Sequence, residues 1–126
     1  MKPRDQQRAK LYAWERMEFE FDSNMLELND CQAIVDKYLM HVKVTDGRRC
    51  RRALACIADS KIKLPRWARK KWVVLHEIAH FHAHGMGAAH GPTFVKAYIT
   101  LLAKEYKGRS NEALQMSAIE FGLSIA

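Results

Sequence analysis

The sequence predicts an α+β fold, with a small sheet of about three strands packed against one apolar helix and further helices flanking it. Three observations predict it. Helical periodicity dominates both ends of the chain, short strand-like stretches fall only between residues 42 and 64, and Trp72 to Phe81 is apolar nearly all round a helix. A length of 126 residues suits a single domain, residues 1–126, with one sizeable core.

The elements follow in order. Asp5 to about Glu20 reads as an amphipathic helix, with Ala9, Tyr12, Ala13, Arg16 and Met17 along one face. A second helix is expected from Asn29 to His41, with Ile34, Tyr38 and Leu39 turned inward. Val42 to Val44 is strand-like and ends at the turn signal Asp46-Gly47. Ala53 to Ala58 and Lys61 to Leu64 read as two strands joined around Asp59-Ser60, with Ile62 and Leu64 facing the core and Lys61 and Lys63 facing out. Pro65 ends the strand. The apolar helix then runs from about Arg66 to His84 and stops at Gly85 and Gly87. Pro92 suits the first position of a fourth helix, which carries Phe94, Ala97, Tyr98, Leu101 and Leu102 and reaches about Tyr106. A last helix starts near Ser110, has Glu112 in its first turn and stops at Gly122.

The apolar helix contains His76-Glu77-Ile78-Ala79-His80, an HExxH pentapeptide. Four residues advance a helix by roughly 400°, so His76 and His80 project only about 40° apart and can share one metal ion. Glu77 is then the candidate general base for an attacking water. Given six His and eight Glu in the chain, chance supplies about 0.02 such matches, so the motif is fairly specific. The competing reading is a core helix whose histidines and glutamate find ordinary hydrogen bonds and ion pairs. Burial of all three in so apolar a helix would be expensive without a metal, which favours Zn²⁺ as cofactor.

A catalytic zinc takes three protein ligands and leaves one position open. The position six residues after His80 holds Met86, which excludes one common spacing. His82 points away from the face of His80. His84 lies one turn further along the same helix, and three ligands on one straight helix surround a metal poorly. His90 follows a turn of small residues that can fold the chain back, and it is the leading third ligand. Glu105 and His84 remain open alternatives.

Charge is unevenly placed. The chain is +7 overall, and Arg48–Lys71 holds ten of its 21 lysines and arginines against one acid, Asp59. That segment suits either a solvated edge or a contact with DNA or another acidic partner. Trp67 and Trp72 flank it, with Trp72 reading as core. No apolar run approaches a membrane span, so no membrane partner is expected. The opening Met-Lys-Pro-Arg-Asp lacks the apolar region of a secretory signal, and Cys31, Cys50 and Cys56 form no CxxC. A cytoplasmic monomer is expected, with Cys31 and Cys56 as small core residues.

LHEIAH followed by AHGPTF resembles the SprT-like and related minigluzincin metallopeptidases. With RDQQRAKLYAWE, KIKLPRWAR, VVLHEIAH and AHGPTFVKAY, the chain from Arg4 to Tyr98 is similar to a family of small metallohydrolases of actinobacteria and their phages. The resemblance implies a minimal zincin-like domain, His76, His80 and His90 as zinc ligands, and Glu77 as catalytic base acting on a peptide or protein substrate. In such folds an edge strand before the active helix lines the substrate cleft, which would put the basic stretch 48–63 near it. His82 and His84 also give the stretch the look of ImmA/IrrE-type peptidases, whose third ligand is a downstream Glu; this keeps Glu105 in play. A tetrahedral intermediate needs an oxyanion donor, for which Tyr98, His82 and His84 are candidates, although Tyr98 reads better as core. A second class of function is a nucleic-acid-associated module whose zinc is structural. Closed four-ligand sites usually include Cys, and Glu77 would have no role there.

Overall fold

The computed structural model describes residues 4–126 as an α+β chain. The described residues contain five α-helices, α1 (Arg8–Phe19), α2 (Leu28–Tyr38), α3 (Lys71–His82), α4 (Pro92–Glu105) and α5 (Asn111–Glu120). Three strands, β1 (Lys43–Asp46), β2 (Leu54–Cys56) and β3 (Lys61–Leu64), lie between α2 and α3. No helix among these residues is long and apolar enough to cross a membrane. The chain forms two compact units, Asp22–Phe81 and the stretch up to Phe21 together with His82–Ala126.

The first unit, Asp22–Phe81, holds the sheet, in the order β1-β3-β2. β1 runs parallel to β3, with Val44 opposite Ile62, and β2 runs antiparallel to it, with Ala55 opposite Ile62. Ile62 and Leu64 are buried and Lys61 is exposed, as the alternation predicts. β3, with Lys61 and Lys63, is therefore the central strand rather than an edge, and the short edge strand β2 carries no basic residue. The outer edge of β1 is covered by a side chain. Gln32 on α2 accepts from the Val44 amide (2.7 Å) and donates to the Val42 carbonyl (2.9 Å), occupying groups that would otherwise invite another strand.

Several boundaries differ from expectation for local reasons. α2 ends at Tyr38 because Leu39 is extended and His41 adopts a φ of 60°. β2 stops at Cys56, where a 3-10 turn (Ile57–Asp59) begins. α3 starts at Lys71 rather than near Arg66. Arg66–Ala68 is a separate 3-10 turn, and tertiary bonds hold Arg69 out of the helix. Its carbonyl accepts from the Leu26 amide (2.7 Å), and its guanidinium donates to the Leu64 carbonyl (3.2 Å) and pairs with Asp46 (3.0 Å). Cys31 is buried as expected, whereas Cys56 is only half-buried. Burial pushes the Cys31 thiol up to about 11, the nearby Arg69 lowers it and Asp30 raises it, so the thiolate is scarce at neutral pH.

The second unit consists of α1, α4 and α5 with their connections. The buried face of α1 is Leu11, Trp14, Glu15 and Phe19, not the stripe through Ala9, Ala13 and Met17; Met17 is exposed. The cause is a buried carboxylate. Glu15 accepts a hydrogen bond from the Tyr98 hydroxyl of α4 (2.8 Å), so an acid sits where periodicity alone puts an apolar residue. Trp14 donates from its indole nitrogen to Ser117 of α5 (3.0 Å), and Arg109 pairs with Glu18 (2.9 Å). α5 is capped by Ser110, whose hydroxyl accepts from the Ala113 amide, and it ends at Gly122, φ 99°.

Gly47 seats the β1 turn against Pro65. A Cβ at this position would lie 2.6 Å from the Pro65 nitrogen, and the Gly47 amide donates to the Leu64 carbonyl (3.1 Å). Gly47→Ala is expected to destabilise the protein by about 1–3 kcal/mol through overpacking. Chemical denaturation of the variant beside the wild type measures it, and an unchanged midpoint would contradict this packing.

Candidate metal centre

α3 is apolar nearly all round. Trp72, Val74, Leu75, Ile78 and Ala79 are buried, and so are His76 and Glu77. Helical geometry places His76 and His80 one turn apart on a common face, with ring centroids 5.0 Å apart. The helix stops at His82, and Gly85 (φ 77°) and Gly87 (φ 108°) supply left-handed positions that residues with a Cβ adopt at a cost. His82 and His84 are exposed.

His90 ends the turn that follows and immediately precedes the α4 cap, Gly91, with Pro92 in the first turn of that helix. Unlike the exposed histidines, it is buried and is contacted by Asp5, Gln7, Tyr12 and Phe94. Asp5 accepts twice, from the His90 ring Nδ1 (2.8 Å) and from its backbone amide (3.2 Å). Gln7 donates to its carbonyl (3.0 Å). The Tyr12 and Phe94 rings meet the imidazole edge-on, with centroids at 5.3 and 5.0 Å. A neutral imidazole that donates from Nδ1–H to a carboxylate keeps its lone pair on Nε2, the arrangement usual for ligand histidines.

His76, His80 and His90 each offer one ligand atom, and these atoms lie within 4.8 Å of one another. Tetrahedral coordination at about 2.0–2.1 Å puts ligand nitrogens roughly 3.4 Å apart. Three imidazoles, one already carrying the carboxylate partner typical of ligand histidines, form a donor set that suits a borderline-soft divalent metal. Neither Glu105, the last residue of α4, nor His84 belongs to this group among the described residues. Tyr98 is fully buried with its hydroxyl on Glu15, which is the core role rather than the oxyanion role.

Asp5 and Gln7 are partners of His90 that the sequence does not reveal. Periodicity puts Asp5 first in the N-terminal helix, but α1 begins at Arg8, and Asp5 and Gln7 ahead of it reach His90. The only one-dimensional signal was an acid just ahead of a helix, and nothing in the spacing links residue 5 to residue 90. No protein-family model matches the chain, and neither a curated protein nor a solved structure is detectably similar to it.

Loss of the carboxylate that orients His90 is expected to weaken metal binding about ten- to a hundredfold. Asp5→Ala, titrated against a chromophoric chelator with circular dichroism as the folding control, tests this. Wild-type affinity in a folded variant would show that Asp5 has no part in holding the imidazole for a metal.

Proposed function

We propose that the chain is a zinc-dependent hydrolase of minimal zincin-like architecture, with peptide bonds in a peptide or protein as its substrate class. The observation that carries this reading is the convergence of His76, His80 and His90, with Glu77 next to the first of them in the same buried helix. Three protein donors is the number a catalytic zinc takes, whereas structural sites close with four and favour thiolates. That difference favours hydrolysis over a structural zinc in a nucleic-acid-associated module. The choice of His90 rather than Glu105 as third ligand likewise separates the chain from the ImmA/IrrE pattern.

The three imidazoles would hold the metal, which when bound supplies Lewis acidity that acidifies a water and polarises the scissile carbonyl. The protein's own work falls to a few groups. Glu77 accepts the proton of the attacking water and returns it to the leaving amine, the role of an acid–base carboxylate. Asp5 and Gln7 hold His90 in one orientation, so its lone pair needs no reorganisation on binding.

Glu77→Gln preserves size while removing the base. It is expected to retain about one zinc per chain, by elemental mass spectrometry of untagged protein, and to lose hydrolysis of a peptide library by roughly 10²–10⁴-fold. Wild-type turnover in this variant would exclude Glu77 as base, and wild-type protein that takes up no zinc would exclude the hydrolase reading.

A further inference from the structure

The basic segment contains a built pocket. Two loops form it, Asp46–Cys50 after β1 and Pro65–Arg69 after β3, and it encloses about 520 Å³. That volume falls in the range of small-molecule sites, well beyond a lone anion. Its lining includes Arg48, Arg49, Arg66 and Arg69, with Asp46 and Trp67. Asp46 is already paired to Arg69 (3.0 Å) and Arg48 (3.6 Å). Arg49 and Arg66 are exposed and carry no ion pair among the described residues. The net balance of the lining is strongly positive.

The walls are fixed before any ligand arrives. The Gly47 amide and the Arg69 Nε both donate to the Leu64 carbonyl, and Gly47 leaves no room for a Cβ against Pro65. One residue is held against its own preference. The Cys50 amide donates to the Gly47 carbonyl (2.9 Å), closing a turn whose third residue, Arg49, has φ 70°. Glycine or asparagine is favoured at such a position, and a long side chain there costs stability. Strain of this kind gathers at binding sites, where the side chain is kept for what it contacts. Beside it, Trp67 is 58% exposed, a large apolar ring left in water with a face available for stacking.

We infer that this pocket binds a nucleoside phosphate, with the phosphate between Arg49 and Arg66 and the base against Trp67. Guanidinium pairs on phosphate oxygens and an aromatic platform for the base are the two halves of that recognition. The ligand is either a free nucleotide or a terminal nucleotide of a single strand, and both present the same chemistry. The site shares no residue with the histidine cluster, so its test stands apart from the hydrolase reading.

Isothermal titration of the full chain uses ADP, pyrophosphate, and a short 5′-phosphorylated single strand. ADP is expected to bind at least tenfold more tightly than pyrophosphate. Trp67→Ala should erase that margin, and Arg66→Ala should weaken ADP by about tenfold or more. Arg49→Gly discriminates most sharply, since relief of the left-handed strain should hold or raise Tm while ADP affinity falls by a similar factor. A strand that binds more tightly than ADP assigns the pocket to strand ends, and the reverse assigns it to free nucleotides; either supports the site. ADP no tighter than pyrophosphate, or unchanged by these substitutions, overturns it.

Discussion

Polar groups in an apolar interior must be compensated, and this requirement governs the chain's most informative residues. His76, Glu77 and His90 are buried. An unpartnered buried imidazole or carboxylate costs several kcal/mol, a large share of the roughly 5–15 kcal/mol that holds a domain together. Helix α3 carries two histidines and a glutamate among Trp72, Leu75 and Ile78, where each polar group needs partners. In the proposed hydrolase a shared metal would add ligand bonds to the partners these side chains already have.

The same requirement explains the segment ahead of α1. Asp5 and Gln7 satisfy the ring, amide and carbonyl of His90, and Gln7 also bonds the Ser124 amide and carbonyl. Glu15, a buried acid in that unit, is answered by Tyr98. In the sheet-bearing unit Arg69 plays the corresponding part. It ties Leu64, Asp46 and Leu26 together at the cost of interrupting the helix that would otherwise begin earlier. Buried polar networks here set element boundaries as much as apolar patterning does.

Legibility in the sequence followed that division. Lys61–Leu64, the Ser110 cap, the glycine stop after α3 and the Pro92 start were readable, because each is decided within a few residues. His76 and His80 were readable for the same reason, as helical spacing alone aligns them. The buried face of α1 was not, since Glu15 breaks the apolar stripe and its partner lies 83 residues away. The central place of β3 was equally hidden, because strand order depends on pairing between segments rather than on either segment's pattern. Asp5 escaped notice because a carboxylate at residue 5 gains meaning only beside His90. The basic bias of residues 48–71 was plain in the sequence, but the pocket that gathers four of its arginines needed the turn at Gly47 and its seat on Pro65.

The most direct test is the coordination shell itself, read by X-ray absorption of the chain loaded with one equivalent of Zn²⁺. Three imidazole nitrogens at about 2.0–2.1 Å with one further light atom is the expected shell. A sulfur at about 2.3 Å, or a shell with fewer than three imidazoles, would contradict a centre built from His76, His80 and His90.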